Sequence, residues 1–288
     1  MTSMRVAFLL ALQALIIAPC DRALAWGQEG HSIVAEIGQR RLSPPAAATV
    51  ARALGRGTSL ASIASWADDV REKRPETSRW HFVDIPIGES TYVLAKHCAP
   101  SPQGDCIIAA LERLKTTLAC TRSPAARREA VKFAVHFVGD IHQPLHTVED
   151  AVGGNQIPVQ VHLRGLVCSQ ACKAPLASNF HAAWDSDLIH AVAWDWGAYV
   201  DRLEAGWLKS AEARRRATAG GTPLDWALQT HAAAQTVWKE RPQDNMLGDD
   251  YFQKVLPVLD RQLGLGGLRL ARFLNETFAP GACRSLRR

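Results

Sequence analysis

A chain of 288 residues, 47% hydrophobic and 21% charged, has enough apolar material for one large domain or two modest ones. Its formal net charge of +5 is mild and partly local, as in the run Arg214-Arg215-Arg216. That balance is compatible with a polyanionic substrate but does not by itself argue for nucleic acid, since a solvated basic face explains it equally well.

Residues 1–25 read as a targeting segment rather than fold. Arg5 precedes the apolar run VAFLLALQALIIA, and Ala23-Leu24-Ala25 places small residues where a signal peptidase needs them. The run is short for a membrane span. A lipoprotein reading at Cys20 is disfavoured by the neighbouring Pro19. Cleavage leaves Trp26 first and a domain over 26–288, in a periplasmic or secreted protein with no membrane anchor.

Helical spacing dominates that domain. The stripe Ile33, Val34, Ile37, Leu42 predicts a helix over 30–42. Pro44-Pro45 opens a second to about 54, and 59–71 forms a third. Residues 72–104 are rich in Pro and polar side chains, with one extended piece, WHFVDIPI. Helices resume over 107–118 and from 124 to about 142, where Pro144 should end or kink the chain. Residues 153–172 are irregular except for IPVQVHL, which alternates like a hairpin arm. Further helices are expected over 180–194, 198–217, 223–239, 249–263 and 268–278. With no repeat, linker or boundary, the expectation is a mainly α, single-domain, multi-helix fold with a short β-hairpin and disulfides.

The mature chain keeps six cysteines: Cys98, Cys106, Cys120, Cys168, Cys172 and Cys283. An even number in an exported protein implies disulfides, though many pairings are formally possible. Cys98–Cys106 closes a Pro/Gly loop and Cys168–Cys172 a short one. Cys120 and Cys283 are then left over, a pairing by arithmetic alone.

The chemistry concentrates in 134–155, AVHFVGDIHQPLHTVEDAVGGN. His136 and Asp140 are four apart, one turn along the same helix face. His142 and His146 repeat the spacing on another face. A buried helix with a few satisfied polar residues would account for one such pair. The spacing recurs, however, at His181 and Asp185 in NFHAAWD. Imidazole and carboxylate so arranged suit zinc. Three more candidates are weak alone: His31, which could simply be exposed; Asp68 in SIASWADDVR, which could be a solvated cap; and His81 in RWHFVDIP, set between apolar residues on an extended segment. With His136, Asp140, His146, His181 and Asp185 they make five histidines and three aspartates, enough for more than one zinc with positions open to water.

Trp26-Gly27 with His31, ASWADDVR, HFVD, VHFVGDIHQPLH followed by AVGGN, and NFHAAWD, in that order, make the chain resemble the S1/P1 nuclease family over nearly its whole mature length. The resemblance implies a helical fold shared with zinc phospholipase C and three zinc ions in a cleft. It also implies cleavage of the P–O3′ bond of single-stranded DNA and RNA to 5′-phosphorylated products, and removal of 3′-phosphates from mononucleotides. Position by position, Asp68, His81, His136 and Asp140 would hold one zinc. Trp26 (through amine and carbonyl), His31 and a bridging Asp140 would hold its neighbour, and His146, His181 and Asp185 the third. Arg71 would contact phosphate, acting with Asp68 and Asp140 in catalysis. Phe82, Asp84, Val152 and Asn155 would bind the base. His142 matches no ligand, while Gln143 and Pro144 look like shaping residues.

Departures limit what carries over. The 146–181 loop bears Cys168 and Cys172 and lacks the tyrosines of a second stacking site in fungal members; Asp187 stands where one is expected. Base, strand and chain-length preference are therefore not implied, nor is any stable protein partner. Asn275-Glu276-Thr277 is a glycosylation sequon, expected bare in a chain of bacterial character. Two alternatives remain at this point. A zinc phospholipase C would end its last ligand pair in Glu, where this chain has Asp185. A non-catalytic zinc-binding module would leave Arg71 and the pocket residues without a role.

Overall fold

The computed structural model describes residues 26–163, 174–193 and 195–286. The signal-type run, the Cys168–Cys172 pair and Trp194 lie outside them. In chain order the elements are α1 (Gln28–Gln39), α2 (Pro44–Leu54), α3 (Trp66–Arg71), α4 (Leu94–His97), α5 (Ile107–Cys120) and α6 (Pro124–Asp140). Then come β1 (Pro158–His162), β2 (Leu176–Asn179), α7 (Phe180–Ala182), α8 (Leu188–Val192), α9 (Trp196–Ala205) and α10 (Ala211–Thr218). The chain closes with α11 (Pro223–Glu240), β3 (Met246–Gly248), α12 (Asp249–Thr277) and α13 (Ala282–Ser285). The fold is mainly helical, as expected, and among the described residues no helix is long and apolar enough to cross a membrane.

Local chemistry explains where the helices begin. Ser43 and Ser123 accept from the amides of Ala46 and Ala126, each just ahead of a proline at the first helical position. Thr222 and Asp225 form a reciprocal capping box at α11. The alternating IPVQVHL stretch becomes β1, with Val159 and Val161 buried. It pairs antiparallel with β2 and parallel with β3. Cys98–Cys106 and Cys120–Cys283 are both disulfides, and together they staple the two ends of α5.

Two expected helices are split and two others are joined, each for a physical reason. The 59–71 helix is split into a 3₁₀ turn, Ala61–Ile63, and α3. The break frees the Ala64 carbonyl, which accepts from His136 Nδ1 at 2.7 Å. The 198–217 helix breaks at Gly206, and Trp207 turns onto α12. Conversely, the expected 249–263 and 268–278 helices are one continuous α12, running through Gly264, Gly266 and Gly267. Those glycines permit close approach instead of breaking the helix. A Cβ on Gly264 would lie 2.4 Å from the Trp207 ring, and one on Gly267 only 2.3 Å from Ile37 Cγ2.

Helices α1, α6 and α12 thus pack mutually at the centre. Gly267→Ala, a change that normally favours a helix by about 0.5–1 kcal/mol, is expected here to destabilise by about 1–3 kcal/mol through overpacking. Ile37 cannot rotate away, because its Cβ would also be within 2.4 Å. A lowered thermal midpoint checks this; an unchanged or raised one contradicts it.

The sequon residue has a structural task. Asn275 Oδ1 accepts from the Ser43 amide at 2.7 Å and its Nδ2 donates to the Arg41 carbonyl at 3.0 Å, clamping the α1–α2 link.

Candidate metal centre

Helix α6 places His136 and Asp140 one turn apart, both fully buried, with His136 Nε2 3.0 Å from Asp140 Oδ2. His81 Nδ1 approaches the same oxygen to 3.0 Å and His136 Nε2 to 3.1 Å. Asp68 Oδ1 lies 3.5 Å from each of these two ring nitrogens. The other oxygen of Asp140, Oδ1, faces His31 Nε2 at 3.3 Å and His146 Nδ1 at 3.5 Å. One carboxylate therefore divides its two oxygens between two sets of donors. A further set lies beyond: His181 Nε2 is 3.4 Å from Asp185 Oδ2, His146 Nε2 is 3.9 Å from Asp185 Oδ1, and the two imidazoles stack at 5.0 Å. His31, Asp68 and His136 also lie within mutual reach of one ion.

These spacings fit a cation. A tetrahedral ion with bonds of about 2.0–2.1 Å to N and O sets its ligand atoms roughly 3.3 Å apart. Both ring nitrogens of His31, Oδ1 of Asp68, Nε2 of His81 and Oδ1 of Asp140 are buried without a hydrogen bond. Unpartnered buried polar atoms are costly, and two of these, His31 Nε2 and Asp140 Oδ1, face each other at 3.3 Å.

Carbonyls orient the rings. His136 Nδ1 faces Ala64 O at 2.7 Å, His146 Nδ1 faces His81 O at 2.9 Å, and His181 Nδ1 faces Gly153 O at 2.7 Å. An N–H donated to each carbonyl leaves Nε2 as the lone-pair donor to a metal. Electrostatics divide the rings: burial works downward on His136, but Asp140 and Asp68 outweigh it and hold that imidazole well up, a charge that a bound cation would replace. Burial pushes His31 and His81 down, and His146 down to about 3, keeping these imidazoles neutral. Burial works upward on Asp140, yet His136 and His146 outweigh it and hold the carboxyl well below its usual range. Burial drives the Asp185 carboxyl well up, opposed by the hydrogen bond from Gln143 and reinforced by the nearby carboxylates of Asp140 and Asp68. A bound cation would reverse that.

The surrounding chain is shaped to deliver these groups. His81 is not on an extended segment, as the sequence reading had it, but ends a 3₁₀ turn, Pro75–His81; the extended backbone begins at Phe82. Val83 N–H donates to His146 O and Glu149 N–H to Ile85 O, so this segment runs beside the turn carrying His146. Helix α6 stops at Asp140, and Pro144 opens a 3₁₀ turn whose cap is Gln143. His181 and Asp185 are joined through a widened π turn, Ala183–Asp187, a local geometry frequent at functional sites. Trp26 is buried, its indole donating to Gly139 O at 3.0 Å, while Gly27 N–H donates to Asp185 O at 2.9 Å.

A cleft opens on the cluster. It is lined by His81, His146 and His181 together with Arg71, Phe82, Asp84, Val152 and Asn155. Arg71 is steadied by donating to Ser78 O at 3.0 Å. Burial pushes the Asp84 carboxyl up, opposed by Arg79. Val152, 57% exposed, sits at positive φ within a run of four such residues, Ala151, Val152, Gly153 and Gly154. Left-handed backbone is strained for non-glycine residues. Here it turns Gly153 O onto His181 and leaves Val152 at the cleft. Asn155 supports this turn, its amide donating to Val152 O at 2.8 Å.

The chain matches the S1/P1 Nuclease family profile over residues 26–279. It is 31% identical to Nuclease P1 of Penicillium citrinum, covering 87% of this chain and 97% of that one. It is also 31% identical to Endonuclease 2 of Arabidopsis thaliana (88% and 90% covered) and 23% identical to Nuclease S1 of Aspergillus oryzae (93% and 96%). The chain belongs to the S1/P1 nuclease family, and so to the hydrolases that cut nucleic-acid ester bonds.

Within this family member, two residues near the cluster have defined tasks that motif spacing alone did not specify. His142 turns away from the cleft: its Nδ1 donates to Val138 O and its Nε2 accepts from the buried Arg269, which anchors the turn after Asp140 to α12. The expected pairing of His142 with His146 on one helix face is therefore not seen. Gln143, read only as a shaping residue, donates from Nε2 to Asp185 Oδ1 at 2.6 Å. It thereby links the α6 turn to a candidate ligand 42 positions later.

Proposed function

We propose that this nuclease is zinc-dependent, holds three ions, and hydrolyses the P–O3′ bond of single-stranded DNA and RNA to 5′-phosphorylated products, with 3′-nucleotidase activity. The observation that carries the reading is the Asp140 carboxylate set between two donor groups, with His146, His181 and Asp185 as a third, all beside one cleft. Asp68, His81, His136 and Asp140 would hold one zinc; Trp26, His31 and Asp140 the next; His146, His181 and Asp185 the third. Zinc bound there supplies Lewis acidity and a hydroxide nucleophile near neutral pH. Arg71 presents its guanidinium to the phosphate and offsets charge gained in the transition state. Phe82 offers a ring on which a base stacks, contributing about 1–3 kcal/mol without demanding one sequence. Asp84 accepts from the base edge, and Val152 closes the pocket.

We further propose that processing leaves Trp26 as the first residue, since only a free amine there can serve as a ligand; the family match begins at the same position. Intact mass of active protein starting elsewhere contradicts this. Two disulfides fit an oxidising compartment, which favours a periplasmic or secreted location.

A paired base must be unstacked to enter the pocket, at a cost of a few kcal/mol. Single strands are therefore expected to be cut faster than duplex, with 5′-phosphate ends. End-group analysis of products decides it. Products bearing 3′-phosphates, or cleavage of phosphatidylcholine with nucleic acid untouched, contradict the proposal.

A further inference from the structure

Each candidate ligand in the set His146, His181 and Asp185 is held in direction by one hydrogen bond. The His146 ring is set by His81 O at 2.9 Å and the His181 ring by Gly153 O at 2.7 Å. The Asp185 main chain is fixed by Gly27, whose N–H donates to its carbonyl at 2.9 Å, but that leaves the carboxylate free to rotate. Gln143 stops the rotation, donating from Nε2 to Asp185 Oδ1 at 2.6 Å. The second oxygen, Oδ2, then faces His181 Nε2 at 3.4 Å, while the tied Oδ1 stands 3.9 Å from His146 Nε2.

Gln143 has one orientation available to it. It is fully buried, and its Oε1 accepts from the Leu145 amide, so the amino end meets Asp185. Its main chain is pinned as well: Gln143 N–H donates to Asp140 O at 2.9 Å, and His146 N–H donates to Gln143 O at 3.1 Å. One residue therefore touches the backbones of Asp140 and His146 and the side chain of Asp185. The place also calls for a neutral donor. An amide satisfies Oδ1 without setting a second positive charge against a bound cation, and without offering a carboxylate that would compete as ligand.

We propose that Gln143 is a positioning residue that ties back Asp185 Oδ1 and presents Oδ2 alone, making Asp185 a one-oxygen ligand and setting how tightly the His146–His181–Asp185 site holds its ion. The assignment rests on the zinc-nuclease reading above. The two positions at Asp140 use only the main chain of Gln143, which a side-chain change leaves in place.

The test is zinc titration of the metal-stripped wild type, Gln143→Met and Gln143→Asn, followed by calorimetry. Zinc per chain is measured by elemental analysis at fixed free zinc, and hydrolysis of single-stranded DNA is measured alongside. Gln143→Met removes the amide at nearly constant volume, and Gln143→Asn keeps an amide that is one methylene short. Both are expected to weaken one of the three ions by about 10–100-fold, the usual cost of losing a ligand's orienting partner, and to leave the other two as in the wild type. At low free zinc the variants should lack that ion and most turnover; at raised free zinc both should return together. This rescue is the readout that a merely structural role would not give. Adding Gln143→Met to Asp185→Asn should weaken zinc no further. Equal weakening of all three ions, unchanged affinity, or failure of both variants to fold overturns this assignment alone. A wild type that binds three zinc ions and cuts no nucleic acid overturns the nuclease reading, with the titration still deciding the role of Gln143. A wild type with no ion at the third site overturns both.

Discussion

Replacing Asp140 by Asn is expected to empty two metal positions at once and to lower activity by on the order of 10³-fold or more, because bound metal supplies several kcal/mol of transition-state stabilisation. The reason lies in how its carboxylate is shared. Oδ2 sits 3.0 Å from both His81 Nδ1 and His136 Nε2, while Oδ1 faces His31 at 3.3 Å. An amide is nearly the same size but is neutral and turns an N–H toward one of the two sets. Asp185→Asn, by contrast, touches only the His146–His181 group and should remove a single ion. Elemental analysis of the two variants separates these outcomes. Equal metal loss in both would show that Asp140 does not bridge.

Arg71→Ala should lower kcat by about 10²–10³-fold, the usual effect of removing one preorganised donor to developing charge, while metal content is retained. Asp68 and Arg71 are three residues apart on α3, so the helix projects a candidate ligand and a phosphate contact toward the same side. Arg71 lines the cleft and is oriented by the Ser78 carbonyl. Its loss removes charge from the substrate space without touching a metal-binding atom. A variant that loses zinc along with turnover would make Arg71 a structural residue instead.

How much of this was legible beforehand depends on the range of the interaction. His136 with Asp140 and His181 with Asp185 could be read directly, because four residues is one helical turn. Proline-led helix starts at Pro44, Pro124 and Pro223 were equally plain. Glycine was ambiguous. Gly264, Gly266 and Gly267 suggested a break, whereas the structure uses them for contact with Trp207, Val34 and Ile37, partners far away in the chain. The split after Ala64 was hidden for a similar reason, since the acceptor role of its carbonyl depends on His136, 72 positions later. The stretch from Gly153 onward read as irregular, but nothing in Ala151 or Val152 marked them as left-handed. Gln143 was read as a shaping residue, but its partner Asp185 was not legible, because only the fold shows what a side-chain amide meets 42 positions away.

The most direct measurement is the zinc content of purified, active protein beginning at Trp26, determined by elemental analysis as metal is withdrawn and restored. The account predicts about three zinc ions per chain, with activity lost on removal and recovered on return. One ion or none in fully active protein would contradict it.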